Sequence, residues 1–320
     1  MKILKILLLI GIFLISMSLT SCTSSKEMIN GKIVFQSDQD GNYDLYIMNL
    51  DSSDQQNLTN SPPSITSTNN NFNPVPSPNG KQVAFESDRD GNHEIYIIDL
   101  DSKVQINLTR NKANDYSPTW SPDGKSIAFI SDRDAVLVNT DRDIWTNNIY
   151  LIGLDGFNLR RLTPNNVTSA YGSLAWSPDG KKLAFDLSAS TPHGGYFSRG
   201  INLMTLDDLS LMVFISEPYN MNCCAQWSPN GQRIVYSVLG EKSENIHIMD
   251  VTKTNQVALT KELFYYNTDP SWSPDGEYIV FSSNRDGKYH IYTMKADGTN
   301  LKRLTNGPYE ETNPVWLATP

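Results

Sequence analysis

From Gly31 onward one unit of roughly 45 residues recurs six times, and a period of that length confines a chain to a stacked solenoid or a closed propeller. The unit contains an apolar triplet ending in an aromatic, a polar turn, a strand with Ile-Tyr, a short strand ending in Leu-Thr, and a strand leading into Trp-Ser-Pro-Asp-Gly. These strands are lettered A to D, beginning with the one that carries Trp. Strand B reads Ile33-Val34-Phe35, Val83-Ala84-Phe85, Ile127-Ala128-Phe129, Leu183-Ala184-Phe185, Ile234-Val235-Tyr236 and Ile279-Val280-Phe281. Continuous apolar triplets, in place of strict alternation, are expected of a strand covered on both faces. Strand C carries Leu45-Tyr46, Ile95-Tyr96, Ile149-Tyr150, Ile201-Asn202, Ile246-His247 and Ile291-Tyr292. Strand D is clear at Leu58-Thr59, Leu108-Thr109, Leu162-Thr163, Leu259-Thr260 and Leu304-Thr305, and degenerate near Ile215-Ser216.

The two ends of the repeat select between the architectures. The first strand B has no strand A before it, and the last strand A, around Trp316, has no strand B after it. The C-terminal strand is therefore expected to pair into the first blade, which closes the ring and leaves no open sheet edge. The predicted fold is all-β, a six-bladed β-propeller of four-stranded antiparallel blades over residues 31–320. Ser-Pro-Asp-Gly and Ser-Pro-Asn-Gly supply the A-to-B hairpins, since Pro fixes φ and Gly accepts a positive one.

Residues 1–21 read as a signal peptide: Lys2 and Lys5 precede an apolar run from Ile6 to Met17, too short to span a bilayer comfortably. Leu19-Thr20-Ser21-Cys22 resembles the bacterial lipobox, so Cys22 is the expected lipid attachment site, with residues 22–30 as lipidated Cys and linker. The chain is then expected in the bacterial cell envelope, exported and lipid-anchored on the periplasmic or extracellular side. The formal charge of −9 becomes more negative once Lys2 and Lys5 are cleaved off. An acidic chain is a poor match for phosphate backbones, which excludes nucleic acid as the expected partner. Beyond Cys22 the only cysteines are the adjacent Cys223 and Cys224, read as two small buried thiols.

The string of Trp-Ser-Pro-Asp-Gly, Ile-Ala-Phe, Ser-Asp-Arg-Asp-Gly-Asn, Ile-Tyr and Leu-Thr resembles the propeller repeat of the TolB family, also called WD40-like or PD40, over residues 31–318. The resemblance implies a propeller that binds partner proteins, in TolB those of the Tol-Pal system. Only Thr23 to Asn30 stand between Cys22 and the first strand, in the place of the TolB N-terminal domain, so the fold and the binding habit carry over and the pathway does not.

Catalytic motifs are few. There is no Gly-Xaa-Ser-Xaa-Gly, His-Glu-Xaa-Xaa-His or Cys-Xaa-Xaa-Cys string. Asp38, Asp40, Asn42 and Asp44, with Asp88, Asp90, Asn92 and Glu94, alternate oxygen ligands as calcium loops do, but their Gly is at the fourth place and a B-to-C hairpin accounts for them. No cofactor and no metal site is expected. What interrupts the repeat points to binding. Blade 3 has a B-to-C insertion, 131–148, with Arg133, Arg142 and Trp145; blade 4 has one, 188–200, with His193, Tyr196, Phe197 and Arg199. Aromatic and Arg side chains on loops held by a rigid ring are expected partner anchors. Asn73, Ser117, Ser173, Cys224, Asp269 and Asn313 start the innermost strands and are expected around the mouth of the central channel. The sequence thus suggests a non-enzymatic, monomeric scaffold for an envelope protein or glycan. The alternative is an exported propeller enzyme acting on carbohydrate or peptide, with metal assistance.

Overall fold

The structure, a computed structural model, describes residues 31–62, 69–135, 137–139, 144–145, 147–164, 170–189, 198–216 and 220–318. It is a ring of six blades, each of four antiparallel strands. Blade 1 is built from Glu311–Leu317, Lys32–Ser37, Asp44–Asn49 and Gln56–Asn57, so the C-terminal strand is its strand A, with Ile33 opposite Trp316. Blade 2 comprises Asn71–Pro76, Gln82–Ser87, Glu94–Asp99 and Gln105–Asn107, and blade 3 Asp115–Trp120, Ser126–Ser131, Asn148–Gly153 and Arg160–Arg161. Blade 4 comprises Ala170–Trp176, Lys182–Ala189, Ser198–Thr205 and Leu211–Ile215. Blade 5 comprises Met221–Trp227, Arg233–Leu239, Glu244–Asp250 and Val257–Ala258, and blade 6 Asn267–Trp272, Tyr278–Asp286, Lys288–Lys295 and Lys302–Arg303. The outer strand of blade 4 is the longest of its kind and ends at Ile215, the first residue of the Ile215-Ser216 pair expected from the repeat. A single parallel bridge between Arg199 and Met221 joins blades 4 and 5 into one sheet.

The apolar triplets work in both directions. Ile33 and Phe35 pack with Tyr278, Val280 and Ile291 of blade 6, while Val34 between them packs with Val83 and Phe85 of blade 2. The triplet residues are fully buried or nearly so, and each large one contributes about 1.5–3 kcal/mol of apolar burial. The core is therefore a set of wedges between blades, and every blade depends on both neighbours.

Repeated polar devices fix the turns. The Leu-Thr threonine turns its hydroxyl inward, where it accepts the strand C amide: Leu45 N–H to Thr59 Oγ1 at 3.0 Å and Ile246 N–H to Thr260 Oγ1 at 2.9 Å. Thr59 donates in turn to Asp44 and Thr260 to Asn245. The Ser-Asp-Arg-Asp string is likewise structural. Its second Asp accepts the strand C tyrosine hydroxyl, in Tyr46 to Asp40, Tyr96 to Asp90, Tyr150 to Asp134 and Tyr292 to Asp286. Its Arg lies over the tyrosine ring, with Arg89 4.5 Å from Tyr96, Arg133 4.7 Å from Tyr150 and Arg285 5.0 Å from Tyr292. Its first Asp ties down the preceding linker, as Asp88 does by accepting from Asn70 N–H at 2.6 Å. Each of these acidic side chains thus has a hairpin role, in line with the hairpin reading of the calcium-like spacing.

Candidate functional site

Strands alternate in direction, so the B-to-C hairpins, the D-to-A linkers and the start of every strand A share one side of the ring. There each innermost strand carries a bulge. Pairing with strand B slips between Phe72 and Val75, Tyr116 and Thr119, Cys223 and Gln226, and Thr268 and Ser271. The residue at the slip takes a left-handed conformation: Asn73 (φ 50°), Ser117 (49°), Cys224 (59°), Asp269 (53°) and Asn313 (51°). Small polar residues tolerate that region best, and a bulge re-aims the strand. In four of the five the next residue is Pro74, Pro118, Pro270 or Pro314, which needs no hydrogen-bond partner for its nitrogen.

The left-handed turn directs the residue's N–H at the neighbouring blade, where the residue after the strand B aromatic receives it. Asn73 N–H donates to Gln36 Oε1 at 3.1 Å, Ser117 N–H to Glu86 Oε2 at 3.3 Å, Cys224 N–H to Asp186 Oδ2 at 3.4 Å and Asn313 N–H to Ser282 Oγ at 3.1 Å. Blade 3 offers the apolar Ile130 at that place, and the next blade is the one whose bulge differs: Gly172 (φ 93°) takes the left-handed turn, while Ser173 N–H bonds Asp186 of its own blade at 3.3 Å. A girdle of hydrogen bonds thus joins four of the six neighbouring blade pairs around the channel.

The girdle encloses a central cavity of about 210 Å³ whose wall includes Asn73, Ser117, Gly172, Ser173, Cys224, Asp269 and Asn313, together with Asp186. Its chemistry is uneven. Blades 4 to 6 supply carboxylates and thiols. Burial pushes the Asp269 carboxyl up, and burial together with the nearby Asp269 charge raises Glu244 to about 7. Glu244 Oε1 is 3.8 Å from Cys223 Sγ, and Cys223 Sγ is 3.1 Å from Cys224 Sγ, too far for a disulfide. Neither cysteine is in a disulfide, Cys223 is buried, and the Cys223 contact and burial hold the Cys224 thiol well above its ordinary value. Among the described residues, no group of three or more His, Cys, Asp or Glu side chains is arranged to hold a metal ion.

On the same side of the ring, outside the cavity wall, blades 1 to 3 carry aromatic rings. Tyr43 and Phe72 lie 5.8 Å apart, Phe72 and His93 6.2 Å, and His93 and Tyr116 4.9 Å, centroid to centroid, all half-buried. They alternate between the starts of strands C and A, so they form an arc along the rim. His93 anchors it: its Nδ1 is 2.8 Å from Glu86 Oε1, and this hydrogen bond raises the imidazole pKa above its ordinary value. Glu86 also accepts from Asn73 Nδ2 at 3.1 Å, so one buried carboxylate joins the arc to the girdle. The repeat marks the arc weakly, because Tyr43, His93, Glu244 and Tyr289 share one repeat position with no common residue type.

Of the insertion residues, Arg133 is held within its own blade, 2.8 Å from Asp115 and stacked on Tyr150, as Arg89 and Arg285 are in theirs. Trp145 belongs to a short strand, Ile144–Trp145, paired with Leu137–Asn139, and Arg199 opens strand C of blade 4 opposite Ser188. Arg142, His193, Tyr196, Phe197 and the lipid-attachment residue Cys22 lie outside the described residues.

The fold has many solved relatives. TolB from Acinetobacter baumannii superposes with a TM-score of 0.73 at 22% identity, over 90% of this chain and 66% of that one, so the chain spans just under two thirds of that relative's length. A putative TolB from Agrobacterium tumefaciens gives 0.64 at 19%, over 86% of this chain and 89% of that one. An oligogalacturonate lyase in complex with manganese gives 0.56 at 17%, over 87% and 74%. At such identities the likeness is one of fold. No curated protein matches the chain significantly. The family model described as the TolB beta propeller domain matches residues 63–138 and 197–319, and the gap between the two segments covers most of the blade 3 and blade 4 insertions. The repeat, the closed ring and this match together place the chain in the TolB β-propeller family.

Proposed function

We propose that the protein is a non-enzymatic cell-envelope lipoprotein, exported and anchored through Cys22, whose propeller acts as a monomeric scaffold and binds a protein or glycan partner on the face bearing the B-to-C insertions. The observation that carries this reading is the arc of Tyr43, Phe72, His93 and Tyr116 on that face. Half-buried rings held by a hydrogen-bonded girdle offer apolar area at little entropic cost, which is how aromatic anchors make binding hot spots. Trp145, Tyr196 and Phe197 of the insertions are the further anchors that this reading assigns. The test is a cross-linking pull-down from membranes, comparing the wild type with Phe72→Ala/Tyr116→Ala and with a deletion of 137–145. A partner lost from both variants supports the reading; identical profiles in all three defeat it.

The alternative, an exported enzyme on carbohydrate or peptide, draws on one observation: a carboxyl poised at about 7, Glu244, beside Asp269 at the cavity, a pairing suited to proton transfer. A turnover assay on uronate oligosaccharides and peptides, with and without divalent metals, decides it, since the enzyme reading requires product that Glu244→Gln abolishes and the scaffold reading requires none.

A further inference from the structure

The opposite side of the ring carries the A-to-B and C-to-D turns. Exposed apolar side chains occur on the insertion side at Leu263 to Tyr266, and on this opposite side they recur from blade to blade, on the C-to-D turns and outer strands of blades 2 to 6. Phe157 is 70% exposed, Val213 56%, Val104 54%, Ile106 51% and Leu301 45%. They are not scattered, because each C-to-D turn rests on the outer strand of the preceding blade. Lys253 Nζ bonds Val213 O at 2.7 Å, Ser52 Oγ bonds Leu304 O at 2.5 Å, and Gly156, next to Phe157, approaches Leu108 O in the outer strand that carries Ile106. The result is an apolar fringe along one edge of the ring. Apolar area of this kind, kept exposed, marks a contact surface.

The chain itself indicates what covers it. Strand B of blade 1 starts on this same side: Lys32 pairs with Asn49 and Leu317, and Leu50 N–H bonds Gly31 O at 3.3 Å beside the first C-to-D turn. The eight residues Thr23 to Asn30 separate that point from Cys22. Fully extended they reach at most about 30 Å, about one and a half times the depth of a ring of six-residue strands, about 20 Å. A lipid on Cys22 therefore starts its tether from this side of the ring and holds that side within about 30 Å of the bilayer. On the C-to-D turns the aspartates, among them Asp51, Asp54, Asp207 and Asp208, outnumber the cations Lys103, Arg160, Lys253 and Lys302, so attraction to anionic headgroups does not draw this side to a bilayer and any contact rests on the apolar side chains.

We propose that this fringe is a bilayer-contacting surface, with Phe157, Ile106, Val213 and Leu301 seated at the lipid headgroup boundary. The proposal rests on the lipid anchor of the preceding section. Phe157→Trp and Leu301→Trp place reporters on the fringe, and Phe264→Trp, 69% exposed in native form, places one on the insertion side. Each full-length lipidated variant is reconstituted on phosphatidylcholine vesicles containing dibrominated chains, and its emission is compared with the unsubstituted protein. The expected result is a blue shift and loss of added emission at 157 and 301, and neither at 264. Unquenched reporters at 157 and 301, or equal quenching at 264, overturn the proposal. So does a blue shift at 157 that is already present without vesicles and depends on protein concentration, which would mean that a second copy covers the fringe. Cys22→Ala separates the two readings. If that variant stays with membranes as the wild type does, the anchor is wrong; if it is released and the fringe reporters of the lipidated protein are unquenched, only the contact surface is wrong.

Discussion

Glu86 is the side chain whose replacement most directly tests the inter-blade girdle. It is 5% exposed and accepts from Ser117 N–H, from Asn73 Nδ2 and from His93, so it links blade 2 to blade 3 and holds the aromatic arc. Glu86→Ala removes the acceptor and leaves a backbone donor in the girdle unpaired, which costs about 1–3 kcal/mol, with about 1–2 kcal/mol more for the charge-assisted bond to His93. A total near 3 kcal/mol corresponds to a fall in Tm of roughly 6–10 °C for a body of this size. Glu86→Gln keeps an acceptor in place and removes the charge, so it is expected to cost only about 1 kcal/mol. The two substitutions also differ in pH dependence. His93 has a raised pKa in the folded protein because of Glu86, so its contribution is fully present below the unfolded value of 6.5 and is lost as pH rises through the folded value. The gap between wild type and Glu86→Gln, measured by calorimetry, is therefore larger near about pH 5.5 than near about pH 8.5. If Glu86→Gln is as damaging as Glu86→Ala, or if its gap is the same at both pH values, the carboxylate does not act through the bonds described.

Glu244 provides a second test with the same pH direction: its folded pKa of about 7 lies above the ordinary 4.5, so the folded state holds a proton that the unfolded state releases. Stability should fall by about 3 kcal/mol as pH rises from about 4.5 to about 7, and Glu244→Gln should flatten that part of a Tm-against-pH curve. Phe264 is a bulky residue at φ 72° and is 69% exposed, so Phe264→Gly should leave stability unchanged or raise it by about 1 kcal/mol in a urea titration; a loss above about 1 kcal/mol would mean that the ring packs on something. Thr260→Val removes the acceptor for Ile246 N–H and should cost about 1–2 kcal/mol by the same titration. An unchanged midpoint would reject that role for the Leu-Thr threonine.

The repeat made the ring legible because what it encodes is local. Apolar triplets, Ser-Pro-Asp-Gly turns and Leu-Thr strands each imply one strand or one hairpin, and the unpaired strands at 33–35 and 314–316 imply closure. Relations between blades were less accessible. Asn73, Ser117 and Asn313 could be set at the channel by counting back from Trp or Pro76, yet their backbone N–H groups meet an acceptor contributed by the preceding blade, and no period within one unit reports it. Ser173 shows the limit, since the substitution that accompanies its displaced bulge is Ile130, forty residues earlier in another blade. Arg133 shows a different one. Read as part of an insertion it suggests a partner anchor, whereas aligned with Arg89 and Arg285 it is the brace of a hairpin. The aromatic arc was hidden because it alternates between strands C and A of successive blades, so its members are never near one another in sequence.

The pairing of strand Glu311–Leu317 with strand Lys32–Ser37 has a consequence in time as well as space. Blade 1 cannot be finished until the strand at Glu311–Leu317 has been made, so through most of synthesis its strand B presents an unpaired edge and the wedges on either side of it stay open. Pairing between the two ends of a chain is slow, because the whole intervening length must first be brought to order. The interval before closure is the period in which the chain is most exposed to proteases and to pairing with other chains. A truncation of only the final seven or eight residues should therefore act on the whole ring, not on its last blade alone.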